Sequence, residues 1–233
     1  LNLKPAYEEV RAKLEASYLT LGKEEFDKGK TKDAIELWKK CTALNPGNIE
    51  AIYNRGVSFA KKGDFTSAVK DLSVAIEKKF QPEKSFYNRA LIYLQLRKPD
   101  EARRDIMELI KITPANAEAY FTLGVISSMK GAFKESIEYY DKAISISPSF
   151  AEAYFNRGVS KGNLNMHNDA ISDYNKAIFY KKNYAEAYYT RAISKINTQQ
   201  MQSACEDLNK AITLGYNTAK ELYQIHCTGQ SSQ

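Results

Sequence analysis

The chain has 233 residues, 43% of them hydrophobic, and its 34 lysines and arginines exceed its 28 acidic residues, which gives a formal net charge of +6. No apolar run approaches the roughly 20 residues that a helix needs to cross a bilayer, so the sequence excludes a transmembrane helix. The cations are spread along the chain without a run of five, which argues against a surface for nucleic acid. The three cysteines are an odd number, which argues against a framework of disulfides.

Residues 1–14 precede the regular part of the sequence. Tyr7, Val10 and Leu14 recur at helical spacing, which predicts an N-terminal helical extension that runs into or caps the next element. The first residue is a leucine rather than a methionine, and the opening Leu-Asn before a proline is similar to the end of the first repeat defined below. We therefore expect a further repeat upstream.

One pattern of small and aromatic residues returns every 34 residues from residue 15 to residue 218. Small residues occupy two phases of this period, where two short helices can approach closely. The first phase holds Gly22, Gly56, Ala90, Gly124, Gly158 and Ala192, and the second holds Ala34, Ala68, Ala102, Ser136, Ala170 and Ala204. The sequence therefore divides into six repeats, with no room for a second domain: 15–48, 49–82, 83–116, 117–150, 151–184 and 185–218.

Each repeat predicts two helices joined by a turn. With positions counted from 1 to 34 within a repeat, the first helix spans about positions 2 to 14 and the second begins near position 17. The turn between them is marked by Gly29, Gly63 and Gly131 in three repeats. Proline at position 32 ends the second helix in three repeats, and we expect slightly different geometry where Phe80, Lys182 and Tyr216 replace it.

A further short helix is predicted after the last repeat. Thr218 and Glu221 have the spacing of a capping box, which predicts a capping helix over residues 219–227. A terminal helix with a polar outer side would cover the apolar face that the last hairpin otherwise exposes. Residues 228–233 are predicted to form a polar tail.

Repeats of this length and signature resemble the tetratricopeptide repeat (TPR) family, and in particular its bacterial-type multi-repeat solenoids. The resemblance implies an all-α fold, a right-handed α-solenoid of six helical hairpins with a C-terminal capping helix. It also implies a non-catalytic scaffold or adaptor for protein-protein interaction, which binds a peptide segment in the concave groove of a superhelix.

A pair of charges recurs inside the repeats. Position 7 is arginine and position 23 is aspartate in the same four repeats, as Arg55 and Asp71, Arg89 and Asp105, Arg157 and Asp173, and Arg191 and Asp207. In the other two repeats both positions are apolar or aromatic. Antiparallel helices joined near position 15 place positions 7 and 23 at equal height, so we predict a bidentate structural ion pair in each hairpin. The alternative, that these arginines bind anions, is less favoured because the aspartates would neutralise them.

In TPR proteins a stripe of the first helix that includes positions 5, 6 and 9 lines the concave groove, and the resemblance carries this assignment over. Asparagine side chains can donate and accept hydrogen bonds at once, which suits a peptide backbone. The predicted groove residues are Thr20, Lys23, Tyr53, Asn54, Tyr87, Asn88, Phe121, Thr122, Phe155, Asn156, Tyr189 and Thr190. The alternative stays open that positions 5 and 9 pack against neighbouring helices and that asparagine is merely tolerated at position 6.

Three other kinds of partner were weighed. Some TPR proteins bind the acidic tails of heat-shock chaperones through a carboxylate clamp, but in the first three repeats only Asn54 and Lys84 match its pattern, so no clamp is predicted. Self-assembly through the end repeats is the main alternative. A nucleic-acid-binding helical repeat is less favoured because acidic side chains recur at position 2, on the rim of the groove.

The sequence has no glycine-rich phosphate loop and no nucleophile elbow, so neither an enzyme nor a cofactor is predicted. His167 and His226 lack paired ligands at metal spacing. Cys205 and Cys227 lie about ten residues from the turn that would connect their helices, so a disulfide and two free thiols are both open. The compartment also stays open, with the cytoplasm slightly favoured over export, because a leader would precede the first residue.

Overall fold

The structure is a computed structural model that describes residues 3–228. Across these residues it contains thirteen helices and no strand, which confirms the predicted all-α fold of six hairpins and a C-terminal helix. The helices are α1 Leu3–Asp27, α2 Thr31–Leu44, α3 Ile49–Lys62, α4 Phe65–Glu77, α5 Pro82–Gln95, α6 Pro99–Ile112, α7 Ala117–Met129, α8 Phe133–Ile146, α9 Ala151–Asn163, α10 His167–Tyr180, α11 Ala185–Asn197, α12 Met201–Thr213 and α13 Ala219–Cys227. Most of the predicted tail, residues 229–233, lies outside the described residues.

Two compact units make up the chain, Leu1–Pro114 and Ala115–Gln233. The first unit contains three hairpins, α1 with α2, α3 with α4, and α5 with α6, and neighbouring hairpins pack through α2 on α3 and α4 on α5. The second unit repeats this arrangement with α7 to α12, and α13 packs on α12. The core of each unit therefore lies inside its hairpins and between successive hairpins.

The N-terminal extension and the first helix of the first repeat form one continuous helix of 25 residues, α1. Nε of Arg11 donates a hydrogen bond to the carbonyl oxygen of Leu44 at 2.9 Å. The carboxylate of Glu15 accepts hydrogen bonds from the side-chain amides of Asn45, at 2.8 Å, and Asn48, at 2.6 Å. These bonds hold α1 against the end of α2 and the residues that follow it.

Glycines set the close approach of the two helices in a hairpin. A Cβ on Gly124 would lie 2.5 Å from the Tyr140 ring, and one on Gly158 would lie 2.7 Å from the Tyr174 ring. Both tyrosines are almost fully buried. Because atoms in a packed interior do not approach so closely, each ring occupies the space that a larger residue would need.

The turn inside every hairpin has the same backbone conformation. Position 15 is left-handed in all six repeats, with φ between 55° and 86°, at Gly29, Gly63, Arg97, Gly131, Asn165 and Gln199. This conformation costs a residue other than glycine about 1–2 kcal/mol, and asparagine tolerates it better than most. Arg97 and Gln199 therefore hold strain that the glycines avoid.

The junctions between repeats have two geometries. After α4 and α12 the residue at position 31 is left-handed, with φ of 54° at Lys79 and 89° at Gly215. The fifth repeat also lacks proline, but its Lys181 is extended with φ of −131°, as in the junctions that proline closes. Where the left-handed residue occurs, the next residue, Phe80 or Tyr216, packs on the aromatic ring at position 5 of the same repeat.

The C-terminal helix α13 covers the end of the last hairpin. Ala219 is fully buried, and Leu222 and Tyr223 pack on the same cluster. The expected capping box is not formed, because Thr218 is itself helical, with φ −57° and ψ −26°, and makes no side-chain cap hydrogen bond. The backbone N–H of Ala219 instead bonds to the carbonyl oxygen of Tyr216 at 3.1 Å.

A disulfide ties this helix to the last repeat. It joins Cys205 of α12 to Cys227 of α13, whose Cα atoms are 5.7 Å apart. Cys41 is a free, fully buried thiol in the first unit. Burial raises the pKa of this thiol to about 11, so it stays protonated at neutral pH.

Candidate peptide-binding grooves

The recurring arginines lie against the recurring aspartates inside their own hairpins. Each aspartate is at most 5% exposed and accepts two hydrogen bonds from one guanidinium. The bonds from Nε measure 2.7 Å for Arg55 to Asp71, 2.8 Å for Arg89 to Asp105, 2.9 Å for Arg157 to Asp173 and 2.8 Å for Arg191 to Asp207. The hydrogen bond that Arg89 donates to Asp105 also raises the pKa of Arg89 above its ordinary value. The guanidinium charges are thus neutralised within the fold.

The same arginines also reach the preceding hairpin, a contact that the sequence did not predict. Nη1 donates a third hydrogen bond to a side-chain oxygen there. The acceptors are Thr42 for Arg55 at 2.7 Å, Ser73 for Arg89 at 2.8 Å, Asp141 for Arg157 at 2.5 Å and Asn175 for Arg191 at 2.7 Å. The first repeat of each unit has leucine in place of arginine, Leu21 and Leu123. An arginine therefore occurs in every repeat that follows another repeat in its own unit.

The aromatic rings at position 5 pack within their own repeats. Their ring centroids lie 4.8 to 5.5 Å from a second ring, in the pairs Tyr53 with Phe80, Phe121 with Phe150, Phe155 with Tyr184, and Tyr189 with Tyr216. Tyr53 is only 7% exposed, and Tyr87 is half-buried. The paired rings therefore contribute to the packing of their own repeats, and Tyr53 also lines the cavity between repeats one and two.

In the second unit, the polar side chains at position 6 bond back to their own helices. Asn156 donates from Nδ2 at 2.8 Å, and Thr190 and Thr122 donate from their hydroxyls at 2.9 Å and 2.7 Å, each to the carbonyl oxygen four residues earlier. Thr122 is also only 4% exposed. Thr122 is therefore not available to a peptide, whereas Asn156 and Thr190 keep acceptor capacity.

In the first unit, position 6 has more unused hydrogen-bonding capacity. Thr20 is exposed, and Asn88 donates from Nδ2 to the hydroxyl of Tyr53 at 3.2 Å. Nδ2 of Asn54 is buried and has no hydrogen-bond partner. A buried donor without an acceptor costs about 1–3 kcal/mol, so an acceptor that reached this amide would recover part of that cost.

Cavities lie between the first helices of successive repeats, among residues of the predicted stripe. Two lie in the first unit, with about 270 Å³ between repeats one and two and about 300 Å³ between repeats two and three, and one of about 170 Å³ lies in the second unit between repeats five and six. Position 9 of both repeats and position 6 of the later repeat line all three. In order, these residues are Lys23, Asn54 and Val57, then Val57, Asn88 and Leu91, then Val159, Thr190 and Ile193.

Lys23 does not present a free cation to the first cavity. Its Nζ lies 2.7 Å from a carboxylate oxygen of Glu50, and both side chains are partly exposed. Such an exposed pair contributes about 0–1 kcal/mol to stability. Its effect is to neutralise this end of the groove.

Residues at positions 12 and 17 also line the cavities, and sequence reasoning missed them. Ala60 and Phe65 line the cavity between repeats two and three, and Gly162 and His167 line the one between repeats five and six. Position 12 lies nearly one turn beyond position 9 on the same helix face, which could have indicated it. Position 17 begins the second helix, so the first-helix stripe could not include it.

Within the stretch from residue 3 to residue 228, no helix has the length and apolar character to cross a membrane. The same described stretch holds no cluster of three or more histidine, cysteine and acidic side chains suited to a metal ion.

Models of one repeat family match most of the chain. The model described as TPR repeat matches residues 22–63 and 129–165, and the model described as tetratricopeptide repeat matches residues 83–116, 151–184 and 185–214. Tetratricopeptide repeat protein 6 of Homo sapiens is 26% identical over 144 residues, which span 62% of this chain and 27% of that protein.

Solved structures share the fold at low sequence identity. The APC/C hetero-tetramer of Cut9 and Hcn1 contains a chain that matches with a TM-score of 0.72 and 17% identity, over 91% of this chain and 42% of that one. YrrB, described as a TPR protein with an unusual peptide-binding site, matches with a TM-score of 0.64 and 18% identity, over 75% of this chain and 90% of its own.

Proposed function

This chain belongs to the tetratricopeptide repeat family, and we propose that it is a non-catalytic protein-interaction scaffold that binds an extended peptide segment in the grooves of its units. The observation that carries the proposal is the row of cavities between successive first helices, each lined by the predicted positions 6 and 9. The description of YrrB as a TPR protein with a peptide-binding site supports the same mode of binding.

The cavities suit alternate parts of a peptide. The cavity between repeats two and three is lined mainly by apolar side chains, among them Val57, Phe65 and Leu91, with the amide of Asn88 beside them. An apolar side chain of the peptide would fill this cavity, while the amide would bond to its backbone.

The experiment is a selection of random peptides displayed on phage against the full chain, followed by fluorescence anisotropy with the enriched peptides. Leu91 is 38% exposed at the groove, and Met107 is 42% exposed on α6, outside the residues that line the cavities. We expect Leu91→Lys to weaken binding at least tenfold and Met107→Lys to leave it within twofold. If every enriched peptide still binds the Leu91→Lys variant, the groove of the first unit is excluded as the binding site.

Self-assembly through the C-terminal end of the chain is disfavoured by α13. Leu222 and Tyr223 pack on the apolar cluster of the last hairpin, and the disulfide holds the helix there. The surface on which another copy would stack is therefore already covered.

A further inference from the structure

The cavity of the second unit has a different chemistry from its counterpart in the first unit. At matched positions, His167 stands where the first unit has Phe65, and Ser194 stands where it has Ile92. The cavity is also smaller, about 170 Å³ against about 300 Å³. The cavity of the second unit therefore has an imidazole and a hydroxyl where the cavity of the first unit has a phenyl ring and an aliphatic side chain.

His167 adds a hydrogen-bonding group to the cavity of the second unit. Its Nδ1 is buried and has no hydrogen-bond partner, while the ring itself lines the cavity. An unpaired buried N–H is costlier than an unpaired acceptor, so the favoured neutral tautomer carries its proton on Nε2. Nε2 is then the donor of the ring.

Asn163 supplies the complementary group. Its Nδ2 donates to the carbonyl oxygen of Val159 at 2.9 Å, so its Oδ1 is left as an acceptor. Thr190 likewise donates its hydroxyl proton to its own helix at 2.9 Å and keeps lone pairs that can accept. The residues that line the cavity thus include a donor at His167 and acceptors at Asn163 and Thr190, together with the hydroxyls of Tyr174 and Ser194.

The residues that line this cavity include no lysine, arginine or carboxylate. The nearby cations are already used, since Nζ of Lys161 lies 2.8 Å from Asp173 and Nζ of Lys195 lies 2.8 Å from Asp207. A carboxylate that entered the cavity would lose its hydration without meeting an opposite charge. The geometry therefore favours a ligand that is polar but uncharged.

We propose that the cavity between repeats five and six binds the carboxamide side chain of an asparagine or glutamine in a bound peptide. The carboxamide oxygen accepts from Nε2 of His167, and its NH₂ group donates to Oδ1 of Asn163. This assignment rests on the proposed peptide-binding function and names the residue that the second unit selects.

Gly162 provides a variant that changes the cavity without disturbing the fold. A Cβ there would lie 3.7 Å from the hydroxyl oxygen of Tyr174, an ordinary contact, and the position is inside α9. Gly162→Ala should therefore keep or raise the midpoint of thermal unfolding while narrowing the cavity. His167→Phe introduces the residue that the first unit has at this position, Phe65.

The test uses the full chain carrying Leu91→Lys, so that binding to the first unit is blocked, and selects random phage-displayed peptides on it. Each enriched peptide is then synthesised with asparagine or glutamine at the position that the enriched peptides share. Matched peptides carry leucine or aspartate at that position. Against this chain we expect leucine and aspartate each to weaken binding at least tenfold. In the His167→Phe background the asparagine-to-leucine penalty should fall below twofold, and Gly162→Ala should weaken the asparagine peptide at least fivefold.

Two results would overturn this inference alone. One is that the enriched peptides share an apolar or acidic residue instead of asparagine or glutamine. The other is that the loss of binding on changing the peptide's asparagine to leucine is the same in the His167→Phe variant. A selection that enriches no peptide on either the unmodified chain or the Leu91→Lys chain would overturn the proposed function and this inference with it.

Discussion

Removing one member of a buried ion pair should destabilise the first unit far more than removing both. Asp71→Ala deletes the carboxylate that accepts from Nε of Arg55 at 2.7 Å and from Nη2 at 2.9 Å. Breaking a buried pair in this way costs about 3–5 kcal/mol. Because the arginine side chain is 20% exposed and keeps its bond to Thr42, we expect the lower end, about 3 kcal/mol.

The assay is urea unfolding followed by the fluorescence of Trp38, the single tryptophan, which is 1% exposed in α2 and reports on the first unit. Glu77→Ala on the same helix is the control, since that carboxylate is 71% exposed, and it should cost under about 1 kcal/mol. Arg55→Leu combined with Asp71→Leu reproduces the leucine pair of the first repeat and should be more stable than Asp71→Ala. Equal losses in Asp71→Ala and Glu77→Ala, or a double variant less stable than the single one, would refute the reasoning.

Arg97→Gly and Gln199→Gly should each raise the free energy of unfolding by about 1 kcal/mol in urea titrations, because both residues are left-handed, and unchanged or lower values would contradict this. Reducing the disulfide between Cys205 and Cys227, which are 22 residues apart, should cost about 3 kcal/mol of loop-closure entropy, measured as a lower unfolding midpoint of the second unit with dithiothreitol. Burial raises the pKa of Tyr174 to about 12, above the value of about 10 in an unfolded chain. Its contribution to stability is therefore complete below pH 10 and lost as the pH rises towards 12, so Tyr174→Phe should flatten the fall in unfolding free energy over that range.

The helical hairpins could be predicted because the signal was local and repeated. A period of 34 residues repeated six times averages out the exceptions in any one repeat, such as Arg97 in place of a turn glycine. The pairing of Arg55 with Asp71 was predicted for the same reason, since both positions change together across repeats. Information internal to one chain was sufficient for contacts inside a hairpin.

Contacts between hairpins could not be predicted in this way. The acceptors for the third arginine N–H are a threonine, a serine, an aspartate and an asparagine, so no single residue type marks them. Thr42 also stands at a different repeat position from Ser73, Asp141 and Asn175. The last three share repeat position 25, but their residue types differ, so no residue type in the sequence marks the contact.

The candidate groove was only partly predictable. The sequence shows which residues share a face of a helix, but not which of their side chains remain exposed after packing. Tyr53 belongs to the predicted stripe, yet Phe80 covers it at a ring-centroid distance of 5.5 Å. That contact depends on the left-handed backbone of Lys79, a conformation that a lysine in the sequence does not predict. The sequence showed only that His167 lacks paired metal ligands, because its cavity exists only when two repeats are packed together.

Each recurring arginine bonds both within its own hairpin and to the hairpin before it. The repeats are therefore not interchangeable. A leucine-bearing hairpin can stand first in a unit, whereas an arginine-bearing one needs a predecessor with a correctly placed oxygen. Deleting or duplicating an interior hairpin would give a guanidinium a new predecessor, so the order of hairpins in each unit is itself a physical constraint on how the gene can be rearranged.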